Sequence, residues 1–400
     1  MNWYHYTPHL PELIDDPYPA YVWLREHSPV HHVESEGIWA ISRYADIAEV
    51  VRDDKVFSND EGVGYSRNKS GLGLTGIDRP HHTTLRRQML QHFSRASVGQ
   101  HKMRAEALLN ELLDEIIDVP GANLAQKISM PFLARLVGEW MGIPPTDIKF
   151  VNDGATAASL VMAGDFSDEP VKTLACFGRY FDAMALQQEA ARDAGAFCPG
   201  QLRTLSDALF TPTPDGYELT HDETAQMLAL LAVGGNETTA QFLSAVAGFL
   251  AEQPDIFETI RADRRLVPAA TEELLRYLSP VQGLFRNTLS EYDLNGTVIP
   301  SDVKVLLLYA SGNHDPSHYE NPGEFRLDRF PRGVGDADHL SFTEGIHKCL
   351  GAHLARLMIG VFINGLCDRV KTIELTGPME RSPNALVRCI ERLPVHLHPA

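Results

Sequence analysis

Phe342-Thr-Glu-Gly-Ile-His-Lys-Cys-Leu-Gly-Ala-His-Leu-Ala-Arg356 places one cysteine, Cys349, at the mouth of a helix. Gly345 and Gly351 bracket it, so the backbone on either side is free to turn and to approach a large planar group with no Cβ in the way. From Leu350 onward, Leu354, Leu357 and Met358 recur at helical spacing with neither Gly nor Pro before Gly360, which predicts a helix. Unpaired N–H groups and the positive end of the dipole at such a position lower a thiol's pKa and favour the thiolate, a good metal ligand. An isolated cysteine is more often core packing. Its neighbours argue for more.

The order Phe342, Gly345, His347, Cys349, Gly351 and then Ala355-Arg356 resembles the heme-binding loop of the cytochrome P-450 family, in which a cysteine thiolate is the proximal iron ligand. The resemblance implies that Cys349 ligates the iron of heme b (iron protoporphyrin IX). It also implies that Phe342, His347 and Gly351 lie against the cofactor, His347 toward a propionate. Thr343 departs from the pattern: the family usually has Gly there, and a β-branched residue restricts φ.

The 400 residues are 44% hydrophobic, enough for a large core, and carry a net charge of −18. That balance argues against nucleic acid and against a general attraction to anionic membranes. Cys176, Cys198, Cys349, Cys367 and Cys389 are scattered with no CxxC. They form neither a disulfide framework nor a zinc site, and fit a reducing cytoplasm. Residues 1–19 hold Asp15, Asp16 and four prolines with no apolar run behind basic residues, so no signal peptide or membrane anchor is expected.

Asp16-Pro-Tyr-Pro19 opens a short helix through Arg25, residues 39–42 read as a strand, and about 45–52 as a helix. Residues 59–76, rich in Gly, Ser and Asn, read as a loop. The resemblance makes it a cover over the substrate, with Leu72 and Leu74 as contacts. His82 and Arg86, four apart, share a helix face, and the resemblance casts them as propionate partners.

Thr220-His-Asp-Glu223 has capping-box form, and no proline follows until Pro254, which predicts a helix of roughly 50 Å at 1.5 Å per residue. Gly234-Gly-Asn-Glu-Thr-Thr239 sits in its middle, where each glycine costs about 1 kcal/mol relative to Ala. Close helix packing is one account of the pair. The hexapeptide also resembles the family's oxygen groove, which implies that Gly234 leaves room over the heme, Thr238 hydrogen-bonds the oxygen and Glu237 relays protons. Leu230, Val233 and Gly234 would face the substrate.

Glu273-Leu-Leu-Arg276 is a weak motif alone. In this order it resembles the family's buried structural pair, with Arg329 of Phe325-Arg-Leu-Asp-Arg329 as third member. The strand after Pro280 would bring Leu284 and Phe285 to substrate or heme and Arg286 to a propionate. Residues 382–394 read as a hairpin whose turn, with Ala385 and Leu386, points into the cavity.

The resemblance covers nearly the whole chain and implies a mainly α single-domain P-450 fold over residues 1–400, with a minor β-rich region. The implied activity is a heme-thiolate monooxygenase using O2 as co-substrate and electrons from NADH or NADPH through a ferredoxin and a ferredoxin reductase. His347, Lys348 and Arg356, with Arg87, would form a basic patch for that acidic partner. Gly62-Val-Gly64 resembles members that O-demethylate small methoxylated aromatics; a terpenoid, steroid or other natural-product intermediate is the alternative substrate. A peroxide-using enzyme or a heme sensor is opposed by the Glu237-Thr238 pair, which either would leave idle.

Overall fold

The computed structural model describes residues 3–68, 73–194, 204–212 and 216–400. Six helices position the site: α1 (His81–Leu90), α2 (Met130–Met141), α3 (Ile148–Met162), α4 (His221–Glu252), α5 (Val267–Leu278) and α6 (Ala352–Arg369). The last starts two residues later than its apolar spacing predicts, because Gly351 is its N-cap.

Helix α4 starts where its capping box predicts. Thr220 Oγ1 accepts the Glu223 N–H at 3.3 Å, and the Thr220 N–H donates back to the Glu223 carboxylate at 2.8 Å, which satisfies two otherwise orphaned donors. The 32-residue helix ends at Glu252 and is capped by Gln253, the residue before Pro254. Leu228, Leu243, Val246 and Leu250 bury its inner stripe against Leu133 and Leu136 of α2 and Phe362 of α6.

The two glycines have different work. A Cβ on Gly235 would come within 3.1 Å of Val137 on α2, whereas one on Gly234 would meet nothing within 4 Å. Helix packing therefore accounts for Gly235, and Gly234 opens onto space.

Helix α5 carries Glu273 and Arg276, both with fully buried side chains. Arg276 donates to both carboxylate oxygens at 2.8 Å, and Arg329 adds a third ionic hydrogen bond at 3.1 Å. The Arg276 guanidinium also reaches the carbonyls of Asn313 and Pro322 at 2.8 and 2.9 Å. Three distant segments thus meet at one ion cluster.

The β region is a five-stranded sheet of β1 (Val30–Val33), β2 (Ile38–Ile41), β3 (Phe57–Ser58), β4 (Leu284–Thr288) and β5 (Lys304–Leu307), in the order β1-β2-β5-β4-β3. Only β2 and β5 run parallel, with Trp39 opposite Val305. Leu284 lies opposite Leu307 in the antiparallel β4–β5 pair. The C-terminal hairpin joins β6 (Glu380–Ser382) to β7 (Cys389–Arg392). The parallel partnership had no local signal in the sequence, since residues 38 and 304 are joined only by the folded core.

Candidate active site

One cavity brings the sequence motifs together. Its walls include Leu74, His82 and Arg86, the Gly234, Thr238 and Leu230 face of α4, Leu284 of β4, and Phe342, His347, Cys349 and Gly351 of the cysteine loop.

The loop is shaped by two residues in left-handed backbone. Gly345 has φ +69°, and a Cβ there would collide with the Val51 carbonyl, so only glycine fits. Thr343 has φ +49° and ψ −173°. Gly351 is different from expectation: its φ is an ordinary −79°, and it serves as helix cap. The Cys349 N–H donates to the Phe342 carbonyl at 2.9 Å, closing the loop around the sulfur.

Cys349 opens onto the cavity. Burial pushes its thiol up, while the Gly351 N–H and the Arg86 and Arg356 guanidinium groups pull it back. The helix-end effect predicted from sequence is therefore present but outweighed by desolvation in the protein alone.

His82, Arg86 and His347 line the cavity, and Arg286 lies behind its wall, beside Tyr309. The rings of His82 and His347 are 4.4 Å apart, and the Nε2 atom of each is buried without a hydrogen-bond partner. Burial, then His347 and Arg86, push His82 down to about 3. Burial lowers His347 as well, and Asp78, with its carboxylate 3.8 Å away, pulls it up. Arg286 is buried with no carboxylate in ion-pair range among the described residues; two of its donors go to the Phe285 carbonyl at 2.8 Å and the Tyr309 hydroxyl at 3.4 Å, and the rest are free. Arg86 donates to the Lys348 carbonyl at 2.6 Å.

This donor set fits heme. Two imidazoles and two guanidiniums, of which His347 alone has a carboxylate in ion-pair range among the described residues, suit two propionates. Cys349 would hold the iron through its sulfur, and Gly234 leaves open space in the same cavity.

The acid and the alcohol of α4 point to different places. Thr238 lines the cavity, its Oγ1 donating to the Gly234 carbonyl at 3.2 Å. Glu237 is 3% exposed and lies outside the cavity wall. Burial pushes its carboxyl up to about 8, with a hydrogen bond from Ser159 acting the other way. The Cys389 thiol approaches Glu237 Oε1 at 4.0 Å.

Several expected contacts fall elsewhere. Val233 packs into the core beside the cavity rather than on it. Phe285 is turned to the far face of β4 by strand alternation, where it meets Tyr65 and Lys304. Leu386 is buried in a second core cluster near Trp3 and Tyr21, and Ala385 lines a separate cavity. Leu72 lies outside the described residues. Gly62 and Gly64 are pinned through their carbonyls to Lys304 Nζ at 3.1 and 2.8 Å and do not line the cavity.

The expected basic patch is also redrawn. Arg356 pairs with Glu272 through two hydrogen bonds of 2.7 Å and lies over the Phe342 ring at 4.5 Å. His347 is turned inward. Arg87 is exposed and borders a groove with Gly345 and Ile346 as expected, and Lys348, Arg95 and His353 are further exposed basic groups near the loop.

Sequence reading missed Trp140, Phe93, Leu205 and Tyr309 on the cavity wall. These residues look like ordinary core positions in the chain, and only tertiary packing shows which of them borders a space.

Comparison with known proteins agrees with this geometry. The family model for Cytochrome P-450 matches residues 179–372. Cyclomarin C epoxidase CymV of Salinispora arenicola is 31% identical over 363 residues, covering 88% of this chain and 89% of that protein. The cytochrome P-450 monooxygenase PikC of Streptomyces venezuelae is 29% identical over 397 residues, covering 95% and 91%. A mutant of P-450 EryK solved with erythromycin B superposes with a TM-score of 0.83 at 25% identity, covering 96% of each chain. With the cysteine loop, the acid-alcohol helix and the buried ion cluster in one frame, the chain belongs to the cytochrome P-450 family and is a heme-thiolate monooxygenase.

Proposed function

We propose that this chain inserts one oxygen atom of O2 into an apolar natural-product molecule, with heme b held by Cys349 and its propionates met by His82, Arg86, Arg286 and His347. The observation that carries the reading is the shared cavity: the Cys349 sulfur and the Thr238 hydroxyl line one space whose remaining walls are largely apolar. Bound heme supplies the oxygen and electron chemistry. The protein binds, orients and delivers protons.

Leu74, Leu230, Leu284 and Trp140 give the substrate apolar contact and exclude water from the reacting face. Thr238 gives its hydroxyl proton to the Gly234 carbonyl and keeps acceptor lone pairs at the cavity wall; a turn of the hydroxyl away from that carbonyl would make it a donor there. Glu237, held neutral near pH 7 by burial, is a proton store one residue away.

The Gly62–Gly64 segment stands off the cavity, which removes the local support for a methoxylated aromatic. Relatives described as a cyclomarin C epoxidase, a beta-dihydromenaquinone-9 omega-hydroxylase and a vitamin D3 dihydroxylase support a larger natural product. A ferredoxin fed by an NAD(P)H-dependent reductase is the electron source we favour, docking at Lys348, Arg95 and His353. No helix among the described residues is long and apolar enough to cross a membrane.

Optical titration of the ferric holoprotein tests the substrate class. Peptidic, polyprenyl and steroid compounds are expected to shift the Soret band to the blue as they displace water. A response confined to small methoxyphenols or methoxybenzoates would contradict the reading.

A further inference from the structure

The strand Pro394–Pro399 runs antiparallel to the strand Val370–Leu375, which continues helix α6. Alternation along it sends Val395 and Leu397 into the core and His396 and His398 outward. Glu374 lies directly opposite His396 in the pairing, so the two imidazoles and the carboxylate share one face. One nitrogen of each ring and one carboxylate oxygen all lie within 4.8 Å of one another. Among the described residues, no other group of three or more His, Cys, Asp and Glu side chains is gathered to hold an ion in this way.

The hydrogen bonds decide which ring atoms are available. His398 Nε2 sits 2.8 Å from Glu374 Oε2, and His396 Nδ1 sits 4.0 Å from the same oxygen. On its other side, His396 Nε2 lies 3.2 Å from Asp118 Oδ1. A carboxylate only accepts, so Nε2 carries the proton and the neutral ring keeps its lone pair on Nδ1, the atom that faces Glu374. A histidine that ligates a metal characteristically donates its second N–H to a carboxylate in this manner. Asp118 is fixed in place by the same strand: its N–H donates to the Leu397 carbonyl at 2.9 Å, and its backbone is left-handed, with φ +61°.

We propose that Glu374, His396 and His398 bind one zinc ion on the outer face of this sheet, with Asp118 as the positioning partner of His396. Two imidazole nitrogens and a carboxylate oxygen are a zinc donor set, and tetrahedral bonds of about 2.0 Å put ligand atoms about 3.3 Å apart. The two distances to Glu374 Oε2, 2.8 and 4.0 Å, straddle that value, so small side-chain rotations admit the ion. It replaces the hydrogen bond between His398 and Glu374, the Nε2 proton moving to Nδ1, and a water fills the fourth position on the exposed side. Calcium and magnesium prefer oxygen donors and are not suited to the two nitrogens. None of the four residues lines the heme cavity. The role of the site follows from its place: the ion clasps the strand Pro394–Pro399 to the strand that continues α6, the helix that follows Cys349.

Equilibrium dialysis of the chelator-treated, tag-free holoprotein against Zn2+, followed by elemental analysis, tests the site without turnover. The wild-type chain should show one tightest zinc per heme, not displaced by excess Ca2+ or Mg2+. Asp118→Gly keeps the left-handed backbone and removes the carboxylate, and should weaken that binding by about 10- to 100-fold. Glu374→Gln and His398→Gln should weaken it by at least as much, with heme spectra unchanged as the check on folding. Zinc should also raise the thermal midpoint of the wild-type chain and leave that of Glu374→Gln unmoved. X-ray absorption at the zinc edge should show imidazole nitrogen and oxygen with no sulfur. Wild-type affinity in both Glu374→Gln and His398→Gln, or a sulfur ligand at the tight site, overturns the proposal. Wild-type affinity in Asp118→Gly alone removes the positioning role of that residue.

Discussion

Thr343 combines φ +49° with ψ −173°, a region that residues with a side chain occupy at a cost of about 1–3 kcal/mol. Its hydroxyl oxygen is buried with no hydrogen-bond partner, which adds to the penalty. Phe342 before it lies between the loop and Arg356, so the conformation is imposed by packing on both sides. Thr343→Gly should therefore raise the urea midpoint of the holoprotein by the equivalent of roughly 1–3 kcal/mol. An unchanged or lower midpoint would show that the backbone is not under strain. The same residue marks what the chain made legible: the departure from glycine was visible, and that its φ is positive was not. The direction of the Cys349 shift was not visible, because it depends on how deeply the folded protein desolvates the sulfur.

Helix α5 is held through its charges. Glu273 accepts from Arg276, Arg329 and the Arg326 N–H at 2.8 to 3.1 Å, and neither Glu273 nor Arg276 reaches solvent. Removing one partner of such a pair leaves an uncompensated buried charge. Arg276→Met should cost about 3–5 kcal/mol, read as a lowered thermal midpoint and impaired heme retention; a loss within the range of an exposed pair, below about 1 kcal/mol, would contradict the buried geometry. At this scale the sequence was most informative. The capping box, the Gly-Gly pair and the glutamate-arginine spacing each predicted an element or a pairing that the structure contains. What spacing could not settle was which face of an element looks inward. Strand alternation turns Phe285 away while Leu284 faces the cavity, and one step around α4 separates Val233 from Gly234.

Across the whole molecule, a net charge of −18 coexists with an exposed basic group of Lys348, Arg95 and His353 beside the cysteine loop. An acidic redox protein would be repelled by most of the surface and attracted here. Lys348→Glu should slow reduction by a ferredoxin and weaken the salt dependence of the rate, with substrate affinity unchanged; an unaltered rate would move the docking site elsewhere. The assembly of the site from segments as distant as His82, Thr238, Arg286 and Cys349 rests on one central claim, that Cys349 presents its sulfur to the heme iron. The most direct measurement is the optical spectrum of the reduced, carbon monoxide-bound holoprotein beside that of Cys349→His. The wild-type chain should show the long-wavelength Soret band of thiolate ligation and the variant a band at shorter wavelength. The same spectrum in both proteins would contradict the account.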